Sequence, residues 1–248
     1  MIYPYYLGLK LAFSYFSILP MPFRKEDDLS QPSVLASMLF FFPLVGLFLG
    51  VLTVMVYALL SDLSWYGAII SALLYMMFYG FLHTEAVIDV ADAVYASHGN
   101  KDGYAIIKDP TVGAMGVLYA VAVVLLKVSG LVFLLVHDLV LAFIAVLIVS
   151  RLSLLVLFRV HDFRSSFATQ LKEAFTLSYF ICAILLFSVF GSLILPSFLI
   201  LLSLAIVLAL GFSYTLKSKL GFVNGDVLGA TLEAVELSLF IIVALVWI

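Results

Sequence analysis

Residues 139–158, LVLAFIAVLIVSRLSLLVLF, form a run of 20 positions with a single charged side chain, Arg151. A helix needs about 20 apolar residues to cross a hydrocarbon core of about 30 Å, and this run meets that length. Further segments of the same kind lie near 2–19, 34–60, 63–82, 112–136, 174–195, 197–216 and 227–248. The chain has 248 residues, 65% hydrophobic and 11% charged, with a mean hydropathy of +1.26. A soluble domain carries about 25% charged residues. The expected fold is therefore all-α: a polytopic membrane helix bundle of about 7–8 transmembrane helices, with residues 1–248 forming one integral-membrane domain. Segment 2–19 carries Lys10 and ends at Pro20 and Pro22, so lying in the interface is its alternative. The N-terminal Met-Ile-Tyr-Pro-Tyr-Tyr lacks the positive start of a signal peptide. The lone cysteine, Cys182, excludes an intramolecular disulfide and reads as a packed core residue.

The charges fall unevenly between the connections. Arg24 and Lys25, Lys101 and Lys108, Arg159, Arg164 and Lys172, and Lys217 and Lys219 occupy or flank four connections. The connections around Asp62, His137-Asp138 and Pro196 hold no Lys or Arg. That bias places the four basic connections in the cytoplasm and the C-terminus outside. The N-terminus is then outside if segment 2–19 crosses and inside if it does not.

The cytoplasmic side also carries the acids. Glu85, Asp89 and Asp92 are spaced i, i+4, i+7, within about 60° of one helical face. Like charges on one stripe repel, and a multivalent cation relieves them; hard oxygen donors suit Mg2+ or Ca2+. A solvated acidic helix end is the competing reading. Residues 97–103 read as a turn, and Pro110 breaks the helix before it. Gly113 and Gly116 allow close backbone packing. Asp226 opens the last segment, where it would also serve as a helix cap. Glu233 lies i+7 from it, about 10 Å deeper. An acid at that depth, like Glu236, needs a bundle interior or a wet cavity. Gly229 and Ala230 allow another helix to approach. Lys127 and Arg151, also in apolar runs, would either partner these acids or bind phosphate. His83, His98, His137 and His161 show no zinc spacing, and His83 falls opposite the acidic face.

These residues resemble a known family. His83-Thr-Glu85-Ala-Val-Ile-Asp89-Val-Ala-Asp92 is similar to the His-Leu-Asp-Gly-Leu-Ala-Asp-Thr-Ala-Asp-Gly stretch of cobalamin synthases, the adenosylcobinamide-GDP ribazoletransferases. Lys108-Asp109-Pro-Thr-Val-Gly113-Ala-Met-Gly116 resembles their Lys-Asp-Ser-Arg-Ile-Gly-Ala-Phe-Gly. Leu19-Pro20-Met21-Pro22 and Phe42-Pro43-Leu44-Val45-Gly46 match two further blocks, and Gly225-Asp226-Val-Leu-Gly229-Ala230-Thr-Leu-Glu233 a last one. Lys127 and Ser150-Arg151 also fall where that family carries Lys and Ser-Arg. The blocks run in family order over nearly the full length. Glu85 replaces an Asp, and Ala86 and Ala93 replace glycines. Ile18 and Pro110-Thr111 stand where the family has Arg-bearing pairs, and the segment after Arg164 lacks an expected Glu-Gly-Leu-Gly.

The resemblance implies transfer of a phosphorylated cobamide precursor from adenosylcobinamide-GDP to α-ribazole or its 5′-phosphate, with GMP leaving, late in cobalamin biosynthesis at the cell inner membrane. Displacement at a diphosphate needs positioning and charge neutralisation, which Mg2+ held by carboxylates supplies. The expected metal ligands are Glu85, Asp89, Asp92 and Asp226, and the expected catalytic residues Asp92, Asp226 and Asp109. Lys108, Lys127, Arg151 and Glu233 are the expected substrate contacts. The partners are these small molecules and the lipid bilayer, with no nucleic acid; a homo-oligomer is left open. Two alternatives remain: another membrane phosphotransferase acting on a nucleotide-activated alcohol, and a cation-coupled secondary transporter.

Overall fold

The structure, a computed structural model, describes residues 3–97 and 102–246, and these are helical with no strand among them. Residues 98–101 of the expected turn, including His98 and Lys101, lie outside the described residues. Six helices are long and apolar enough to cross a membrane: α3 (Phe42–Leu59), α7 (Ala114–Val136), α8 (Val140–Val160), α10 (Leu177–Ile194), α11 (Phe198–Leu220) and α12 (Gly225–Val246). A seventh span is reached if α4 (Trp65–Phe78) is counted with α5 (Leu82–Ser97), which turns from it by 77°.

Three of the eight expected segments change character, the one at 63–82 shortening to the 14 residues of α4. Helix α1 (Tyr3–Phe16) has 14 residues, about 21 Å at 1.5 Å per residue, which is short of a span. The segment expected at 34–60 is broken at Phe41 into α2 (Pro32–Phe40) and α3. The cause is Pro43, in the first turn of α3. It has no N–H to donate, and its ring would collide with the carbonyl four residues back in a continuous helix. The bundle therefore has six spans, or seven with the bent pair.

Helix α8 is the axis of the bundle: 83% of its most apolar 18-residue window is buried, followed by 67% for α12. The corresponding figures for α7, α10 and α11 are 22%, 17% and 28%, so these three present most of their side chains to lipid. Cys182 sits on α10 and is exposed, not packed in the core as its apolar surroundings suggest. An apolar sequence does not distinguish lipid from protein interior, because both accept the same side chains.

The bend after α4 sets the position of the site. Phe81 N–H bonds to Met76 C=O at 3.1 Å and Gly80 N–H to Met77 C=O at 2.9 Å. This pair closes α4 as a Schellman motif. Gly80 (φ 65°) takes the left-handed conformation freely, whereas Phe81 (φ 53°) holds it under strain. The turn sends α5 along the basic-loop end of the bundle rather than through it. Short helices α6 (Gly103–Ile107) and α9 (Ser166–Ala174) lie at the same end. Helix α5 packs closely on α12: a Cβ on Gly229 would fall 2.7 Å from the Cβ of Ala86, so the small residues at both positions set that spacing.

Candidate active site

Inside the bundle, four charged side chains neutralise one another. Lys127 of α7 reaches Glu233 Oε2 at 2.5 Å and Glu236 Oε2 at 2.8 Å, and Arg151 Nη1 reaches Glu236 Oε1 at 2.7 Å; all four are 1% exposed. The hydroxyl of Tyr75 donates to Glu236 (2.9 Å), and that of Tyr79 to Glu233 (2.8 Å). Thr84 of α5 adds a longer bond to Glu233 at 3.3 Å. Two cations and two carboxylates in low dielectric are tolerated because each is paired and hydrogen-bonded. Of the two roles open to Lys127 and Arg151, the structure places both with the acids. Tyr75 and Tyr79 went unnoticed in the sequence, since a tyrosine in an apolar run is usually a packed ring.

At the basic-loop end the acids divide. Both oxygens of Asp92 are taken by backbone N–H groups at the start of α7, Gly113 at 2.6 Å and Gly116 at 2.7 Å. The two glycines make room for it: a Cβ on either would lie within 2.5 Å of an Asp92 oxygen. Asp92 thus caps α7 across 21 residues of chain, a pairing that no local spacing announces. Asp109 is exposed, and its Oδ1 accepts from Thr111 N–H (2.9 Å) and the Thr111 hydroxyl (2.7 Å), which holds its carboxyl below the usual range. Asp92 and Asp109 share the rim of a hollow of about 210 Å³.

Asp226 does not cap α12. Asn224 does, its Oδ1 accepting Val227 N–H at 3.0 Å, while its Nδ2 donates to Asp226 Oδ2 at 2.7 Å. Asp226 is left half-buried on the wall of a cavity of about 270 Å³, formed where α5, α8, α9 and α12 meet. Lys108 and His83 line the same cavity. Glu85, Asp89 and Asp226 have no ion-pair partner among the described residues. Burial, and then the charges of Asp226, Glu85 and Asp92, push the Asp89 carboxyl up to about 6; Asp89 is half-buried on α5, beyond the 77° bend and outside the six helices that can cross a membrane by themselves.

The chemistry of these acids fits a hard divalent cation. They are carboxylates with no ion-pair partner among the described residues, and burial followed by their mutual repulsion raises the proton affinity of Asp89. Among the described residues no three His, Cys, Asp or Glu side chains already stand at ligating spacing for one ion. Mg2+ is commonly bound through one or two carboxylates and the phosphates of its substrate, so a partial protein shell suits that use.

The family model described as Cobalamin-5-phosphate synthase matches residues 8–244. The chain belongs to that family. Proteins named adenosylcobinamide-GDP ribazoletransferase resemble it end to end: 26% identity over 246 residues in Clostridium perfringens strain SM101 (94% of this chain, 95% of the relative). The Brevibacillus brevis relative is 29% identical over 244 residues (95% and 97%), and that of Chlorobium chlorochromatii 30% over 247 (96% and 96%). No solved structure matches the chain. Membership makes this a membrane-embedded transferase of cobalamin synthesis and sets the transporter aside.

Proposed function

We propose that the protein transfers the adenosylcobinamide-phosphate group from adenosylcobinamide-GDP to α-ribazole or α-ribazole 5′-phosphate, in a Mg2+-dependent reaction on the cytoplasmic face of the cell membrane. The observation that carries this reading is that Asp226, on the wall of a cavity sized for a nucleoside, acts together with Glu85 and Asp92 on the charge of Asp89, while Glu85, Asp89 and Asp226 have no ion-pair partner among the described residues. The bias of Lys and Arg toward the same end supports the cytoplasmic assignment.

In the reaction a 3′-hydroxyl oxygen bonds to the phosphorus that carries the cobinamide. The bond from that phosphorus to the bridging oxygen breaks, and GMP leaves with the bond's electrons. Glu85 and Asp89 would hold the Mg2+, which supplies charge neutralisation at the diphosphate. Asp226 is placed to accept the hydroxyl proton: one of its oxygens is steadied by Asn224 and the side chain lines the cavity. Lys108 brings a positive charge to the cavity for the phosphates. Asp92 positions the α6–α7 connection through Gly113 and Gly116 rather than meeting substrate.

The test is turnover by the purified protein in detergent or liposomes, followed as GMP and cobalamin by chromatography. Product that disappears with EDTA, and falls at least a hundredfold in Asp89→Asn, is the expected result. Folded protein that binds the donor and forms no product, or forms it equally with EDTA, refutes the proposal.

A further inference from the structure

His83 is a buried polar group of the cavity that the proposed reaction does not use. It is 6% exposed and lines the cavity; its Nε2 is buried with no hydrogen-bond partner, and its Nδ1, on the side of the cavity-lining Gly229, is the ring nitrogen left open to the cavity. Its ring stacks on Tyr79 with centroids 5.7 Å apart, and Phe16 lies at 6.4 Å. The Tyr79 hydroxyl is already committed to Glu233, so the aromatic neighbours leave the imidazole uncompleted. A phenylalanine would fill the same space at no polar cost, and buried polar groups are nearly always paired.

The rest of the cavity has a matching character. Phe16, Phe42, Phe158 and Phe167 give it apolar aromatic walls, and Asn224 and Asp226 bring polar groups to it from the start of α12. At about 270 Å³ it admits a bicyclic ring system and excludes a corrin macrocycle. The base of α-ribazole is a benzimidazole, a flat apolar bicycle with one unsubstituted ring nitrogen that accepts a hydrogen bond.

We propose that the cavity holds the heteroaromatic base of the acceptor nucleoside, and that the Nδ1–H of His83 donates to its free ring nitrogen. This rests on the transferase reading above and adds the acceptor subsite and its polar determinant. The ribose then lies toward Asp226, where the attacking hydroxyl is needed. His83 acts here as a neutral hydrogen-bond donor that selects and orients the base.

The test compares binding of α-ribazole with that of its indole counterpart, in which CH replaces the ring nitrogen, to the full-length protein in detergent. The expected result is an about tenfold preference for the benzimidazole nucleoside, the worth of one good buried hydrogen bond. His83→Phe removes the preference, and His83→Gln, which keeps a donor, retains part of it. Equal binding of the two nucleosides by the native protein, or a preference that survives in His83→Phe, overturns the inference. If His83→Phe does not fold, the native comparison and His83→Leu decide the matter. Turnover with adenosylcobinamide-GDP is followed in parallel. Product formation without base selectivity sinks the subsite and keeps the transferase; selectivity without product supports the subsite and refutes the transferase.

Discussion

Replacing Lys127 by Met keeps the length of the side chain and deletes its charge. Its Nζ lies 2.5 Å from Glu233 and 2.8 Å from Glu236, with all three residues 1% exposed. The variant leaves two buried carboxylates facing Arg151 alone, a net negative charge in the middle of the bundle. Breaking a buried pair costs about 3–5 kcal/mol, and a cation shared by two acids belongs at the upper end of that range. For a chain of this size 1 kcal/mol moves Tm by about 2–4 °C, so a fall of about 8–20 °C is expected. Thermal unfolding in detergent, read by loss of helical circular dichroism, measures it. Adding Glu233→Gln restores neutrality, since Arg151 and Glu236 remain paired, and most of the lost Tm should return. A single variant that loses less than about 3 °C, or a double variant no better than the single, refutes the account of a self-neutralising core. A double variant as stable as the native protein but unable to bind donor would return Lys127 to the substrate.

Asp92→Ala orphans two N–H groups at the start of α7 and should cost about 2 kcal/mol, since each lost cap interaction is worth about 1 kcal/mol; Asp92→Asn should recover about half, and hydrogen exchange at Gly113 and Gly116 reports the change directly. Gly46→Leu should unfold the bundle more than a helix-interior change normally does, because even a Cβ there meets Leu147 O at 2.5 Å and Arg151 Cδ at 2.6 Å; a Tm within 2 °C of native contradicts the packing. Asp89 binds its proton more tightly folded than unfolded, so the metal-free protein should lose stability as pH rises from about 4 to about 6 and then level off. Thermal unfolding in EDTA checks this slope, which Asp89→Asn should abolish and Mg2+ should reverse.

The membrane-bundle fold was legible because hydrophobicity over 20 residues carries it, and Arg151 stood out inside residues 139–158. The breaks were harder. Pro43 announces the α2–α3 break, but the 77° turn after α4 rests on Gly80 and Phe81, and nothing in the run 63–82 marks the second as left-handed. The acids were found by spacing, yet their roles divide on contacts that spacing does not contain. Asp92 is claimed by amides 21 and 24 residues away, and Asp226 yields the cap to Asn224. Cys182 was misplaced because lipid and protein interior are alike to an apolar side chain.

The division of charge sets the basic-loop end of this bundle apart from its interior. Every charge buried along α7, α8 and α12 is matched inside, two basic against two acidic, so the interior exerts little net field on its ends. Asp92 is stabilised by the amides of α7, and Asp109 by Thr111. Glu85, Asp89 and Asp226 have no ion-pair partner among the described residues, and burial together with the charges of Asp226, Glu85 and Asp92 makes Asp89 hold a proton more tightly. The fold leaves the repulsion that Asp226, Glu85 and Asp92 exert on Asp89 in place. In the proposed reaction a divalent ion arriving with the diphosphate would relieve it. Binding energy and charge neutralisation would then act together beside the cavity proposed for the acceptor.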